Sequence, residues 1–171
     1  MATTSRSASD VGRRRDHNED AYFVDDGLQL YVVADGMGGH ACGEIASGLA
    51  VHSFRAFVEE HSEVVWGFRD GSPSVTPWMV RRLLEDAMRA ACRDVWKKAQ
   101  EDPKMRGMGT TVVALLVAGR RGFVVHVGDS RAYLLRDDGA VPLTRDHSVL
   151  NELLSRGEIS HASAGAVAFS D

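Results

Sequence analysis

The clearest apolar pattern lies early in the chain. Tyr22, Phe23 and Val24 end at Asp25-Asp26-Gly27, and apolar residues resume at Leu28, Leu30, Tyr31, Val32, Val33 and Ala34. Two such runs around an Asp-Gly pair predict an antiparallel hairpin with strands over 20–25 and 28–34. Residues 8–12 read as another short strand ahead of it. The period then changes. Ile45, Leu49, Phe54, Phe57 and Val58 recur at helical spacing, which predicts an amphipathic helix over 42–60. Gly67, Gly71 and Pro73 break the pattern across 61–75, so that stretch reads as irregular. A second helix follows, with Thr76 as N-cap, Pro77 in the first position and an apolar stripe of Val80, Leu83, Leu84, Ala87, Ala91 and Val95. It should end near Gln100, before Asp102-Pro103.

Residues 103–109 read as a loop, and 110–118 as a β-branched, apolar strand buried on both faces. After a turn at Gly119-Arg120-Arg121-Gly122, strands are expected over 123–127 and 132–135, interrupted at Gly128-Asp129-Ser130. Asp137-Asp138-Gly139 turns the chain toward a strand over 141–144. A helix over 149–156, with Leu150, Leu153 and Leu154 inside, closes at Gly157. Strands, then two helices, then strands again exclude a simple parallel βαβ sheet and predict an α+β layered fold with antiparallel sheets.

Composition narrows the function classes. The 171 residues suffice for one domain with a real core. A net charge of −4 leaves no basic footprint for nucleic acid, and Arg13-Arg14-Arg15 is the only dense basic cluster. No stretch is apolar for long enough to span a bilayer, and Met1–Ser9 has no apolar signal core. Cys42 and Cys92 lack metal-type spacing and read as two buried or half-buried thiols, which fits a reducing cytoplasm.

Chemistry concentrates at Asp35-Gly36-Met37-Gly38-Gly39-His40, where an apolar run ends in a carboxylate and a glycine-rich turn. Glycine permits positive φ and brings main-chain carbonyls close to a ligand. Oxygen donors of this kind suit Mg²⁺ or Mn²⁺ rather than zinc. The hairpin adds a geometric inference. An antiparallel return through Asp25-Asp26-Gly27 places Glu19 and Asp20 beside Asp35 at one sheet end. Clustered carboxylates need a cation or another partner.

Around that turn lie Gly12-Arg13-Arg14-Arg15-Asp16-His17-Asn18-Glu19-Asp20-Ala21, Gly109-Thr110-Thr111-Val112, Val127-Gly128-Asp129-Ser130-Arg131 and Leu143-Thr144-Arg145-Asp146-His147-Ser148. In this order and spacing, over about residues 8–158, the chain resembles the bacterial branch of the metal-dependent (type 2C, or PPM) serine/threonine protein phosphatases. The resemblance implies a four-layer αββα sandwich of two antiparallel sheets flanked by helices. It also implies a centre of two Mn²⁺ or Mg²⁺ ions, with a third held more weakly, and in-line attack on phosphoserine or phosphothreonine by metal-bound hydroxide. Under it Asp35 bridges both ions, Glu19 and the Gly36 carbonyl hold one of them, and Asp20 orients metal-held water. Arg15 takes the phosphate-binding position, where a planar guanidinium matches two phosphate oxygens. Asp129 takes the position of the third metal's ligand. Arg13 and Arg14 carry no such assignment and read as surface. Phosphorylated Ser/Thr proteins, the products of serine/threonine kinases, are the implied substrates, with no nucleic acid or membrane partner.

The likeness has departures. Animal relatives have a histidine two residues after the bridging Asp, where this chain has Met37, so no general acid is transferred to His40 or His147, and His147 reads as structural. The family continues through further strands with two more metal-binding aspartates, one in a Ser-Asp-Gly segment, whereas this chain ends at Ser170-Asp171. Two function classes follow: a metal-dependent phosphatase represented by its N-terminal portion, or a truncated non-catalytic pseudophosphatase that binds a phosphoprotein or partner. On this reading the chain alone is a poor catalyst.

Overall fold

The computed structural model describes residues 3–38 and 42–158, with the backbone alone at 149–150. The expected hairpin is its organising element. Strand β1 (Asp20–Asp25) pairs antiparallel with β2 (Leu30–Met37) through a turn that opens at Asp26. The Asp25 carboxylate accepts from the Gly27 and Leu28 amides at 2.7 and 2.9 Å, so an aspartate side chain builds the turn. The second strand runs further than its apolar run suggested, through Gly36 and Met37. The reason is a later partner: β3 (Gly109–Thr110) pairs with Gly36 and Met37.

Strand β4 (Val112–Ala118) lies on the other side of β2, and β5 (Arg121–Val127) closes the sheet in the order β1-β2-β4-β5. A second antiparallel sheet consists of β6 (Tyr133–Arg136) and β7 (Gly139–Pro142). Helix α4 (Val149–Ser155) follows, and Ser148 caps it by accepting from the Asn151 amide. Gly157 takes a positive φ just beyond it, as a helix-terminating glycine does. Leu153 and Leu154 are half-buried; the expectation for the Leu150 side chain lies outside the described residues.

Three helices cover one face of the large sheet. Helix α1 (Gly43–Glu60) and helix α3 (Pro77–Glu101) match the periodicity closely. Phe54, Val58, Val80 and Leu84 from these helices meet Leu30, Val32, Ala114 and Leu116 from the sheet, all at most 1% exposed. Along β2 the inward residues are Leu30, Val32, Ala34 and Gly36; Tyr31, Val33, Asp35 and Met37 point to the helix-free face. That alternation fixes which side of the sheet carries Asp35. Strand β4 has half-buried Leu115 and Val117 where burial on both faces was expected, because no helix covers its second face.

Two expectations fail. Residues 61–75 are not irregular: α2 occupies Ser62–Arg69, with Val65 fully buried. Gly67 does not break it, because Gly67 packs against Val75, where a β-carbon would come within 2.9 Å of the Val75 side chain. Residues 8–12 form no strand. A strand needs a backbone partner, and this segment is held by side chains instead: Ser5 donates to Asp26 at 2.7 Å, Ser9 to Asp20 at 3.1 Å, and the Gly12 amide to Asp10 at 2.7 Å. Of the two cysteines, Cys42 is buried, but Cys92 is exposed on α3. Among the described residues no helix is long and apolar enough to cross a membrane.

Arg69 pins the end of α2 to the sheet. Its guanidinium donates to the Gly27 carbonyl at 2.9 Å, to Val117 at 3.0 Å and to Leu28, and lies 4.7 Å from the Trp66 ring centroid. Arg69→Ala leaves three carbonyls without this donor. The expected loss is about 2–4 kcal/mol, read as a fall in Tm of about 4–16 °C in thermal unfolding.

Candidate metal and phosphate site

In the hairpin register Asp20 stands directly opposite Asp35. Both project from the helix-free face, because both occupy outward positions of their strands. Like charges directly opposite in an antiparallel pair destabilise it. Asp35 registers the conflict. Burial by its neighbours pushes its carboxyl above the ordinary 3.8, Asp20, Asp129 and Glu19 push it the same way, and Arg15 opposes them. Of these, Asp20 stands directly across the strand pair from Asp35, and Asp129, Glu19 and Arg15 act on it through their charge. The residue itself stays open to solvent, so the conflict is available for a ligand to relieve.

Glu19 approaches from the helix side. Its carbonyl accepts from the Gly36 amide at 3.1 Å and from the fully buried Ser47 hydroxyl at 2.6 Å. Thus α1 clamps the backbone that carries Glu19. The Glu19 side chain is 12% exposed and receives the Arg15 guanidinium at 3.0 Å, while the His17 Nε2 lies 3.7 Å from its other oxygen. Arg15 is 64% exposed, so only one face of its fork is engaged. Arg13 and Arg14 are exposed, as expected.

Gly36 is required for close approach rather than for a positive φ, contrary to the expectation for this turn. It is an extended residue, and a β-carbon there would lie 2.1 Å from the Gly43 carbonyl oxygen and 2.7 Å from that of Glu19. Gly38 has no positive φ either, and Gly39 and His40 lie outside the described residues.

The Asp129 side is tied to Asp35 through Thr111. The Asp35 amide donates to the Thr111 hydroxyl at 3.0 Å, the Thr111 amide donates back to the Asp35 carbonyl at 2.9 Å, and Thr111 Oγ1 lies 2.6 Å from Ser130 Oγ. Gly128, at φ +99°, lets the chain pass Thr111, where a β-carbon would meet the Thr111 methyl at 2.6 Å. Residues 143–147 brace the same loop. Arg131 grips Asp146 through two hydrogen bonds of 2.8 and 2.6 Å, and holds that carboxyl below its ordinary range. The His147 amide donates to the Gly128 carbonyl at 2.9 Å, and the His147 ring lies tilted against that of His126 with 4.6 Å between centroids. This is the structural part read for His147.

Among the described residues His17, Glu19 and Glu44 bring ligand atoms within 4.8 Å of one another, and the other carboxylates of the site are hard oxygen donors of the kind that suits Mg²⁺ or Mn²⁺. Asp35, Asp20, Glu19 and Asp129 offer carboxylate oxygens, and the cradle at Gly36 admits no side chain. Sequence reasoning missed Ser47, Thr111, Ser130 and Glu44. A signal existed for Ser47, a small polar residue within the apolar stripe of α1, whereas the motifs that contain Thr111 and Ser130 gave neither residue a role.

Residues 11–155 match the family described as Protein phosphatase 2C. The serine/threonine phosphatase stp of Listeria innocua is 35% identical over 159 residues, covering 91% of this chain and 59% of that protein. The serine/threonine protein phosphatase PstP of Mycobacterium tuberculosis is 37% identical over 152 residues, covering 89% of this chain and 26% of that protein. The crystal structure of the Mycobacterium tuberculosis phosphatase PstP/Ppp superposes with a TM-score of 0.72 at 34% identity, over 93% of this chain and 61% of that one. A structure of the catalytic domain of PstP in complex with two manganese ions gives a TM-score of 0.71 at 34% identity, over 92% and 61%. The α+β arrangement of two antiparallel sheets with helices is the one these phosphatases have, and the chain spans about three fifths of the Listeria relative and of these solved domains. With the family match over 11–155 and these relatives, the chain belongs to the protein phosphatase 2C family.

Proposed function

We propose that the protein is a metal-dependent serine/threonine protein phosphatase, and that Asp35, Asp20, Glu19, the Gly36 carbonyl, Asp129 and Arg15 form its working site. The observation that carries this reading is the cross-strand pair of Asp20 and Asp35, set among Glu19, Asp129 and Arg15 on an open face. A cation would offset the repulsion within such a cluster. Asp35 would hold both ions, Glu19 and the Gly36 carbonyl one of them, and Asp129 a third. When bound, Mn²⁺ or Mg²⁺ activates water as the nucleophile and neutralises charge on the phosphoryl oxygens.

The remaining work falls to the chain's own groups. Arg15 is anchored on one side by Glu19 and presents its free donors to two phosphate oxygens, fixing the phosphoryl group beside the carboxylates. Asp20, opposite Asp35, accepts a hydrogen bond from the attacking water and orients it for in-line approach. Phosphoproteins made by serine/threonine kinases are the proposed substrates, in a signalling role. Two cysteines without metal-type spacing, buried Cys42 and exposed Cys92, support a reducing, cytoplasmic setting.

The test is hydrolysis of a phosphothreonine peptide after exhaustive chelation, with Mn²⁺, Mg²⁺ or Zn²⁺ added back singly. Turnover restored by Mn²⁺ or Mg²⁺ is the expected outcome. Turnover that survives chelation, or that only Zn²⁺ restores, contradicts the reading.

A further inference from the structure

Glu44 stands in the first turn of α1, where a carboxylate ordinarily serves the positive end of the helix. That role does not account for its surroundings. Its Oε2 is buried and has no hydrogen-bond partner among the described residues, which is costly for a carboxylate oxygen. One oxygen of Glu44, one of Glu19 and a ring nitrogen of His17 all lie within 4.8 Å of one another. Among the described residues the ion pair of Arg15 goes to Glu19, through Oε2. The other Glu19 oxygen, Oε1, packs so closely on Gly43 that a β-carbon there would come within 2.4 Å of it. The Ser47 hydroxyl fastens the Glu19 backbone to the same turn of helix. Two carboxylates are therefore forced together at a helix start, one of them with a buried, unanswered oxygen.

The geometry points to Glu44 as a positioning residue for the cation that Glu19 is proposed to hold. It supplies a second negative charge and a pre-placed acceptor beside Glu19, on the helix side of the centre. It touches no substrate, and it acts through Glu19. The assignment rests on the metal-dependent reading above, but it is read from metal affinity alone, without turnover.

The experiment titrates Mn²⁺ into the full 171-residue chain and into Glu44→Gln, following free Mn²⁺ by electron paramagnetic resonance, with thermal unfolding of both metal-free proteins. Glutamine keeps the shape and removes the charge. Glu44→Gln is expected to weaken Mn²⁺ binding about 10- to 100-fold, with the metal-free Tm unchanged or raised. Combined with Glu19→Gln, it should add less than the sum of the two single effects, since both act on one ion. A lowered metal-free Tm with unchanged Mn²⁺ affinity would assign Glu44 to the helix end alone and overturn the inference. So would fully additive losses, or the absence of Mn²⁺ binding by the parent chain. A chain that binds Mn²⁺ through Glu44 but turns over no phosphopeptide would fault the proposed activity and leave this assignment standing.

Discussion

Asp35→Asn is expected to abolish phosphatase activity and, in the same protein stripped of metal, to raise the melting temperature. The two signs oppose each other for one reason. In the folded, metal-free chain burial first, and then the charges of Asp20, Asp129 and Glu19, push the Asp35 carboxyl above the ordinary 3.8, with Arg15 opposing them. The folded state therefore binds the Asp35 proton more tightly than the unfolded chain does. Asp35's contribution to stability is fully present below pH 3.8 and is lost as the pH rises through the raised value. At neutral pH its charge is a cost to the fold. Removing that charge should recover on the order of 1 kcal/mol after solvent screening, or about 2–4 °C in Tm for a domain of this size. Activity moves the other way. Asp35 is the proposed link between ions, and losing it should cost at least about 10³-fold in kcat/KM, or about 4 kcal/mol of transition-state stabilisation. Parallel unfolding and kinetic measurements check both signs. An Asp35→Asn protein that melts lower in EDTA would mean that the carboxylate cluster carries no strain.

Gly36→Ala should be the most damaging small substitution at the site, and through backbone rather than chemistry. The new methyl would sit 2.1 Å from the Gly43 carbonyl oxygen and 2.7 Å from that of Glu19. Neither is the free end of a flexible side chain, so α1 must withdraw from the sheet or β2 must bend. Either movement breaks the Gly36 amide's 3.1 Å bond to Glu19 and loosens the Ser47 clamp. A cost of about 3 kcal/mol or more is expected, or a fall in Tm of at least about 6–12 °C. Gly48→Ala, on an exposed face of α1 with nothing within 4 Å of the added carbon, is the matched control. It should be neutral or stabilising by up to about 1 kcal/mol. Equal effects of the two substitutions in thermal unfolding would show that close approach at Gly36 is not what its glycine is for.

Much of this site could be read before any fold was drawn, and the reasons are local. An Asp-Gly turn between two apolar runs fixes an antiparallel return, and counting back from it sets Asp20 opposite Asp35. The long stripe from Val80 to Val95, with Thr76 and Pro77 at its head, likewise defines α3 without help from tertiary contacts. What escaped depends on partners far along the chain. The continuation of β2 through Gly36 and Met37 needs β3, more than 70 residues later, to supply its hydrogen bonds. Helix α2 is eight residues with a glycine inside, and its stability comes from burying Val65 and from the Arg69 staple. The segment at 8–12 finds side-chain partners where a strand needs a backbone. Glu44 was invisible for another reason. A glutamate at a helix start is ordinary, and only its burial against Glu19 makes it informative.

Asp35 and its neighbours are proposed to hold a divalent cation at the end of the hairpin where Asp20 stands opposite Asp35. Anomalous diffraction from crystals of the chain grown with Mn²⁺ tests it most directly. The account predicts a manganese peak about 2.0–2.3 Å from a carboxylate oxygen of Asp35, with Glu19 or the Gly36 carbonyl beside it. A structure in which manganese binds elsewhere, with no peak in contact with Asp35, would contradict it.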